Sequence, residues 1–594
     1  MLASLSLAGL ALTASTVSAL PRAGPAALES NHAYRSPSRQ IRDLAIDTSE
    51  VYAGLGKRWT DTYQGNLTFP YGVASGDSYS DSVILWTMPR KLDLGGLYGG
   101  NAWPPICLQW IVSSNDTDFT EASMVQNGFV QTTEDIRYAV KVEALELKPY
   151  TQYYYRFESC EGPELGVSPV GIFKTLPAED DDIAKLRLAV FSCSNLPFGM
   201  FNAYGNAANH SETLDFVQHV GDYIYEYKNG DYGDGTALGR VPQPDREISS
   251  LQDYRDRYAS YRVDPDLQEL HRTLAWMAVW DDHEVADNTW KWGSADSNDT
   301  LQGQVGDYQF SERKANAVRA YYEWMPIRQV DTDDKLRIWR SFKLGTLGSM
   351  IMLDTRQYDR SETDLYYNTD EIIAVSGDSD RSLTGWKQQQ WLYEQLQEHK
   401  EREATWPLIF QQIVFSRVNY SIATGGTTEF NVDAWEGYRY EREQILEFIE
   451  GKDIENVVIL SGDSHATWVS DLKRENGTYN PVTGEGALGV EFAGSAVSSP
   501  SSYGHGPNVG IAANLTAASP SLQYAEGQLR GYFELTLTPS NITADFYGFA
   551  DQQTRNSNVT HMGSFTAQKG ANKLSRPLNG GQTPVYGSLG AGKA

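Results

Sequence analysis

Phe216-Val217-Gln218-His219-Val220-Gly221-Asp222-Tyr223-Ile224-Tyr225-Glu226 joins a short apolar run to a glycine, an acid and a tyrosine. The run suits a strand buried on both faces, as in a parallel sheet. Gly221 lets the backbone turn at the strand end and so brings Asp222 to the edge where open α/β sheets place their sites. Three other runs repeat this design. Leu186 to Phe191 leads into Ser192-Cys193-Ser194-Asn195, Leu274 to Trp280 into Asp281-Asp282-His283-Glu284, and Val457 to Leu460 into Ser461-Gly462-Asp463-Ser464-His465. Helical patterns alternate with the strands, among them Arg313 to Trp324 and Leu383 to His399, with Trp324, Trp386 and Trp391 expected in the core. The chain from about Leu186 therefore reads as α/β, layered helix on sheet. A strand pair at Tyr532 to Leu537 and Ile542 to Phe549 is expected to complete a sheet.

Upstream, Ser82 to Thr87, Ile106 to Val112, Arg137 to Val142 and Gln152 to Phe157 read as short strands of a β-sandwich. Leu147-Lys148-Pro149-Tyr150-Thr151-Gln152-Tyr153 is similar to the tyrosine corner of immunoglobulin and fibronectin type III domains. The acidic stretch Pro177-Ala178-Glu179-Asp180-Asp181-Asp182 marks a linker. Met1 to Leu20 is apolar and uncharged, with Val17-Ser18-Ala19 in the form of a signal-peptidase site. The organisation expected is a signal peptide at 1–19, an extension or pro-segment at 20–60 ending in Lys57-Arg58, a β-sandwich domain at 61–178, an α/β domain at 183–570 and a flexible tail at 571–594.

The composition supports a secreted globular chain. Its 594 residues are 40% hydrophobic and 12% aromatic, too rich in core formers for a disordered or collagen-like chain. The 49 basic and 77 acidic residues give a charge of −28, which disfavours nucleic-acid phosphates and anionic lipid as partners. After the signal no run reaches about 18 apolar residues, so no stable membrane anchor is expected. Nine Asn-x-Ser/Thr sequons, at Asn66, Asn115, Asn209, Asn298, Asn419, Asn476, Asn514, Asn541 and Asn558, fit a glycoprotein that is extracellular or cell-wall associated. Of the three cysteines, Cys107 and Cys160 fall in one region and are expected to pair, which leaves Cys193 for chemistry.

Singly, the residues at the strand ends have bland readings. Asp281-Asp282-His283-Glu284 could be a solvated acidic turn, Tyr225 a core aromatic, Cys193 a buried thiol and Arg356 an ordinary ion-pair residue. Delivered together to one sheet edge, they form a set that suits two cations. Asp222 is placed to bridge them. Thiolate and phenolate from Cys193 and Tyr225 favour a highly charged transition ion, whereas Asp282, Asn288 and Asp463 offer hard oxygens suited to calcium, magnesium or manganese. His465 suits a transition metal or zinc better than calcium.

Several stretches in one order carry a family resemblance. They are Phe69-Pro70-Tyr71-Gly72-Val73-Ala74-Ser75-Gly76-Asp77, Ser192-Cys193, Phe198 to Tyr204, His219 to Glu226, Asp253-Tyr254-Arg255, Trp280 to Val285, Leu353-Asp354-Thr355-Arg356-Gln357-Tyr358 and Gly462-Asp463-Ser464-His465. Over residues 69 to 550 the chain resembles the PhoD-type alkaline phosphatases. The resemblance implies a calcineurin-like metallophosphoesterase core of two mixed sheets flanked by helices, preceded by an immunoglobulin/fibronectin-like β-sandwich. It also implies a site of ferric iron and calcium that hydrolyses phosphomonoesters and phosphodiesters, with zinc, manganese and magnesium as alternative ions. Carried over by motif, Cys193, Asp222 and Tyr225 are the iron-side ligands, and Asp222, Asp282, Asn288, Asp463 and His465 the remaining ones. A metal-activated water would attack phosphorus in line, His283 would protonate the leaving oxygen or bond a phosphoryl oxygen, and Arg356 would clamp the phosphate. Asp359 stands where a further Arg is common in such proteins, and Thr289 where a second Asn or a small residue is frequent.

Two other classes stay open at the level of sequence. Gly462-Asp463-Ser464-His465-Ala466 nearly matches the nucleophile elbow of serine hydrolases, with Asp471 and His505 downstream in a suitable order. The other class is a glycoprotein that binds metal without turnover.

Overall fold

The computed structural model describes residues 31–36, 43–44, 62–92, 104–421, 430–501 and 509–593. The expected signal at 1–19 and most of the extension at 20–60, Lys57-Arg58 included, lie outside the described residues. Of that extension, Tyr34–Arg35 pairs with Asp43–Leu44, and the Arg35 guanidinium reaches Asp81 and Glu143 of the body.

Two mixed sheets form the core. The first has nine strands, in the spatial order Val559–Gln568, Asn541–Phe549, Arg530–Leu537, Leu186–Phe191, Phe216–His219, Ala275–Ala278, Val73–Gly76, Val83–Thr87 and Val140–Ala144. Its central strands are parallel. Phe191 lies opposite His219 and His219 opposite Ala278, so three segments leave the sheet at one level. The second sheet has eight strands, in the order Arg340–Leu344, Gly348–Met352, Trp406–Phe410, Val457–Ser461, Gly489–Ala493, Thr467–Leu472, Leu522–Glu526 and Ser588–Leu589. Met352, Phe410 and Leu460 are in parallel register there.

Strand periodicity explains how the layers assemble. In the second sheet Met350, Leu408 and Val458 face the first sheet and share a core with its Leu188 and Phe533. Their neighbours Ile351, Ile409 and Ile459 point the other way, onto Leu392, Leu396, Ile445 and Ile449. Those side chains belong to the helices Trp386–Glu401 and Arg439–Gly451. Both faces of each parallel strand are thus covered, which is why the strands read as unbroken apolar runs.

The N-terminal region fits the expected β-sandwich only in part, because one of its two sheets is continuous with the core. Ile106–Ser113, Met124–Thr132, Gln152–Ser159 and Gly171–Lys174 form a separate four-stranded sheet. The strands at 82 to 87 and 137 to 142, expected opposite it, are also the end of the nine-stranded sheet. They join through Val73–Gly76, where Ser75 pairs in parallel with Ala275. Val83–Thr87 is buried throughout, and the Trp86 indole donates to the Glu323 carbonyl of helix Phe310–Trp324 at 2.8 Å. A strand covered on both faces belongs inside a larger sheet. Cys107 and Cys160 are bonded, with Cα atoms 5.4 Å apart. The Tyr153 hydroxyl accepts from the Lys148 amide at 2.9 Å, as a tyrosine corner requires.

Two further expectations are corrected. Trp386 is 74% exposed because it opens its helix at the first turn, while Trp324 is buried and Trp391 packs on Trp339. Residues 571–593 are placed on the body and are not a flexible tail: Leu574 and Leu578 are buried, and Ser588–Leu589 pairs with Leu522–Glu526. The glycines that suggested flexibility allow close approach. A Cβ at Gly587 would lie 2.4 Å from the Ala525 carbonyl oxygen.

One ion pair on the first sheet makes a pH test. His210 Nε2 meets Glu534 Oε1 at 2.6 Å, and Arg187 holds the other oxygen of the same buried carboxylate. The hydrogen bond to Glu534 raises the His210 pKa above 6.5. A raised histidine contributes stability that is complete below its unfolded pKa and is lost as pH rises through the folded one. His210→Asn should therefore lower the melting temperature at pH 5.5 and have much less effect at pH 9. An equal loss at both values, by thermal denaturation beside the parent, would refute this assignment.

Candidate functional site

The carboxyl edges of the two sheets meet, and the side chains that follow the strands converge there. Gly221, at φ 113°, lies against the neighbouring strand end: a Cβ would sit 2.4 Å from that of Asp281. Gly462 does the same between the sheets, where a Cβ would lie 2.6 Å from Ser192 Oγ. Side chains bridge the seam as well. Gln412 Nε2 donates to the Trp280 and Leu353 carbonyls, and Gln357 Nε2 to that of Asp281.

Cys193, Asp222, Asn288, Asp463 and His465 all hold a left-handed backbone, with φ of 62°, 56°, 50°, 62° and 56°. A non-glycine residue there is uncommon and costs of order 1 kcal/mol or more, and such residues cluster at functional sites. Five of the seven metal ligands expected from sequence carry this feature.

The structure brings those ligands into adjoining clusters. Ligand atoms of Cys193, Asp222 and His465 lie within 4.8 Å of one another, as do those of Asp222, Asp282 and His283, and those of Asp281, Asp282 and Asp463. Asp222 and Asp282 each belong to two clusters, and Asp222 is the one that adjoins Cys193 and His465 as well as Asp282. The Tyr225 hydroxyl lies 2.9 Å from Asp222 Oδ2, 3.1 Å from His465 Nε2 and 2.7 Å from Ser499 Oγ. His465, grouped by motif with the remaining ligands, thus sits with Cys193, Asp222 and Tyr225. Its Nδ1 is held by the Pro500 carbonyl, which leaves Nε2 to face the cluster. Asn288 donates its Nδ2 to the Asp364 carbonyl at 2.6 Å, so Oδ1 remains as a ligand atom, and its amide donates to Asp282 Oδ2 at 2.7 Å.

The acids at this edge are costly to keep ionised without counter-charge. Burial raises Asp222 well above the carboxylate range, and burial likewise raises Asp463 to about 7 despite Arg356. Burial and the neighbouring Asp222 push the Cys193 thiol up. Asp282 would be raised by burial too, but Arg356 and His283 pull it to about 2. Asp281 Oδ2 and Asp282 Oδ1 are buried without a hydrogen-bond partner. Carboxylates, a thiol, a phenol and an imidazole with unfilled acceptor atoms are a donor set that fits metal ions.

Arg356 has a different place from the phosphate clamp expected. Its guanidinium bonds Asp281, Asp433 and Asp463, and Asp282 lies 3.7 Å away. Buried at 1% exposure, it is committed to carboxylates and acts as a fixed positive charge among them. Arg360 also turns inward, onto Asp433, while the intervening Asp359 pairs with Lys291.

Sequence reasoning missed three supports. Glu226 accepts from His283 Nδ1 at 2.7 Å and from the Asp287 amide at 2.6 Å. Glu284 accepts from the amides of Asp222, Tyr223 and Asp281, so one carboxylate aligns two ligand-bearing loops. Both lie inside motifs already singled out, where an acid adjoining the ligands was the available signal. Asp433, which joins Arg356 to Arg360 and Thr363, follows no strand and gave none.

Of the serine-elbow residues, Ser464 and Asp471 are engaged elsewhere. Ser464 Oγ accepts from the Trp468 indole, and Asp471 is bound by Tyr479 and Arg576. His505 lies outside the described residues. A cavity of about 880 Å³ between Tyr34, Phe310, Lys314, Tyr322 and Tyr358 contains none of the expected ligands.

Comparison with known proteins places this geometry. The sequence model of PhoD-like phosphatases matches residues 188–546, and that of the PhoD-like phosphatase N-terminal domain matches residues 56–177. The chain is 36% identical over 484 residues to alkaline phosphatase D of Bacillus subtilis (strain 168), covering 80% of this chain and 77% of that one. A solved structure of PhoD superposes with a TM-score of 0.72 at 31% identity, covering 90% of this chain and 95% of that one. Purple acid phosphatase PPD1 from yellow lupin (Lupinus luteus) seeds has a TM-score of 0.51 at 12% identity, over 85% and 74%, and shares the fold.

Glu284→Gln replaces one acceptor oxygen with a donor beside three amides. It should lower activity or bound metal 10- to 100-fold, the usual cost of disturbing groups that orient ligands. Metal analysis of the purified variant checks this, and unchanged metal content with unchanged turnover would refute the role.

Proposed function

The chain belongs to the PhoD-like phosphatase family, and from that premise we propose which of its residues carry the reaction. It is a metal-dependent hydrolase of phosphoric esters. The single observation that carries the assignment of residues is that Asp222 is grouped both with Cys193 and His465 and with Asp282, so it alone adjoins the thiol-imidazole side and the carboxylate side. We assign Cys193, Asp222, Tyr225 and His465 to a ferric ion, since thiolate and phenolate suit a small, highly charged cation. Asp222, Asp282, Asn288 and Asp463 are assigned to calcium, which takes hard oxygens. Bound there, such ions lower the pKa of a water and offset phosphoryl charge.

The chain's own groups do the rest. Asp222 fixes the separation of the two positions. Glu226 holds His283 by Nδ1, so Nε2 is the nitrogen that gives a proton to the departing ester oxygen. The His283 amide, 3.4 Å from Asp222 Oδ1, ties that acid to the bridging ligand. Arg356 keeps Asp281 and Asp463 apart and oriented, and is read as a positioning residue.

A division into an N-terminal domain at about 61–178 and a phosphatase domain at 183–570 is supported by the bounds of the two matched family models. Secretion and glycosylation are supported by the Cys107–Cys160 bond and by exposed sequon asparagines at Asn115, Asn209, Asn298, Asn476 and Asn558. No helix among the described residues is long and apolar enough to cross a membrane.

Asp222→Ala should abolish hydrolysis of p-nitrophenyl phosphate and of its bis ester and remove most bound metal. Retention of both would overturn the bridge, and the parent's rates rank monoester against diester. Tyr225→Phe should remove visible phenolate-to-iron absorption and lower iron content. An unchanged spectrum would refute the ferric assignment while leaving hydrolysis standing.

A further inference from the structure

Three tyrosines besides Tyr225 are connected to His283 by ring packing or by hydrogen bonds. The Tyr227 ring lies 5.4 Å from the His283 ring and 5.5 Å from Tyr232, and Tyr232 in turn packs on Phe198. The third is Tyr366, which is 68% exposed, on the loop between Arg360 and helix Thr369–Val375. Its hydroxyl donates to Asp287 Oδ1 at 3.2 Å. The Asp287 amide is bonded to Glu226, and Glu226 to His283, so Tyr366 is connected to the proposed acid by a short chain of contacts. Tyr366 is thus tied through Asp287 and Glu226 to the same His283 on which the Tyr227 ring packs.

The loop is built to hold this ring outside. Tyr366 has φ 66°, a conformation that a bulky residue adopts only when its surroundings impose it. Three bonds impose it here: the Asp364 carbonyl accepts from Asn288, Asn368 caps the Leu365 amide, and Thr363 bonds Asp433. An exposed aromatic fixed by groups that also fix a metal ligand is placed for substrate.

We propose that Tyr366, with Tyr227, forms a platform that stacks on a planar, uncharged ring carried by the alcohol side of the ester, and so sets leaving-group preference. The inference rests on the proposed phosphoester hydrolysis with His283 on the leaving-group side. The neighbouring charges are Asp287, Glu226 and Asp364, so a second anion on the alcohol is disfavoured there, whereas an aromatic face accepts any flat ring. Phenyl and nucleoside esters share that chemistry, at different distances from phosphorus.

The test measures kcat/KM by phosphate release from phenyl phosphate, adenosine 5′-phosphate and ethyl phosphate, for the parent, Tyr366→Ala and Tyr366→Phe. Parent turnover of phenyl phosphate comes first, and its absence overturns the functional reading together with this one. In Tyr366→Ala the ratio of phenyl to ethyl ester should fall about tenfold, in line with the loss of one stacked ring. Tyr366→Phe should keep the parent's ratio, because the ring is retained and only the Asp287 bond is lost. A ratio unchanged in the alanine variant, or lost equally in the phenylalanine variant, overturns the platform. A fall for adenosine 5′-phosphate as well extends it to rings at ribose distance, and a fall for phenyl phosphate alone confines it to rings borne on the ester oxygen.

Discussion

Too much negative charge is buried at one edge for the protein to neutralise by itself. Asp222, Asp281, Asp282, Asp433 and Asp463 are all removed from water or nearly so, and the guanidinium groups set among them are Arg356 and Arg360. Burial of such a group as an ion is unfavourable without counter-charge, so these acids take up protons or bind cations, and the donor set suits cations. The rest of the architecture serves that condition. Parallel strands end at one level, Gly221 and Gly462 let the loops touch, and five ligand residues hold a backbone conformation they would not choose alone.

That constraint also explains which parts were legible in the sequence. A buried parallel strand must be apolar throughout, and a loop that follows it can carry a ligand, so four strand-and-ligand units could be read from residues 186 to 195, 216 to 226, 274 to 284 and 457 to 465. The α/β class followed from the same units, whereas the two-sheet core is what the family resemblance implies. Order along the chain, however, says nothing about which ligand meets which. His465 was separated from Cys193 in the reading by motif, and the fold joins them through Tyr225 and Asp222. Arg356 was read as a phosphate clamp because guanidinium suits phosphate, but it suits carboxylate equally, and only the positions of Asp281, Asp433 and Asp463 decide between them.

The errors in the outer regions have a common cause. Alternation and turn signals identify strands but not every sheet they join, so the expected sandwich does not reveal that Val83–Thr87 and Val140–Ala144 also continue the nine-stranded sheet. Glycine-rich composition suggests mobility, yet at Gly587 it marks a strand passing too close to Ala525 for a side chain. Both facts depend on a partner distant in sequence. The disulfide was accessible because its two cysteines shared one region, with the third left at a strand end.

A chain of charge −28 that acts on an anion poses a problem of recognition as well as of catalysis. Steering from a distance is unfavourable, and the positive groups of the edge, Arg356 and Arg360, are spent on carboxylates. The attraction for phosphate must then come from bound cations acting at short range, where they dominate the field. Discrimination among esters cannot use charge again without competing with the ligands for it. Neutral, rigid side chains at the mouth are the remaining means, and Tyr227, Tyr232 and Tyr366 stand there with the loop of Tyr366 tied to Asn288. The division follows from the electrostatics: ions bind the phosphoryl group common to all substrates, and aromatic surface reads the part that differs.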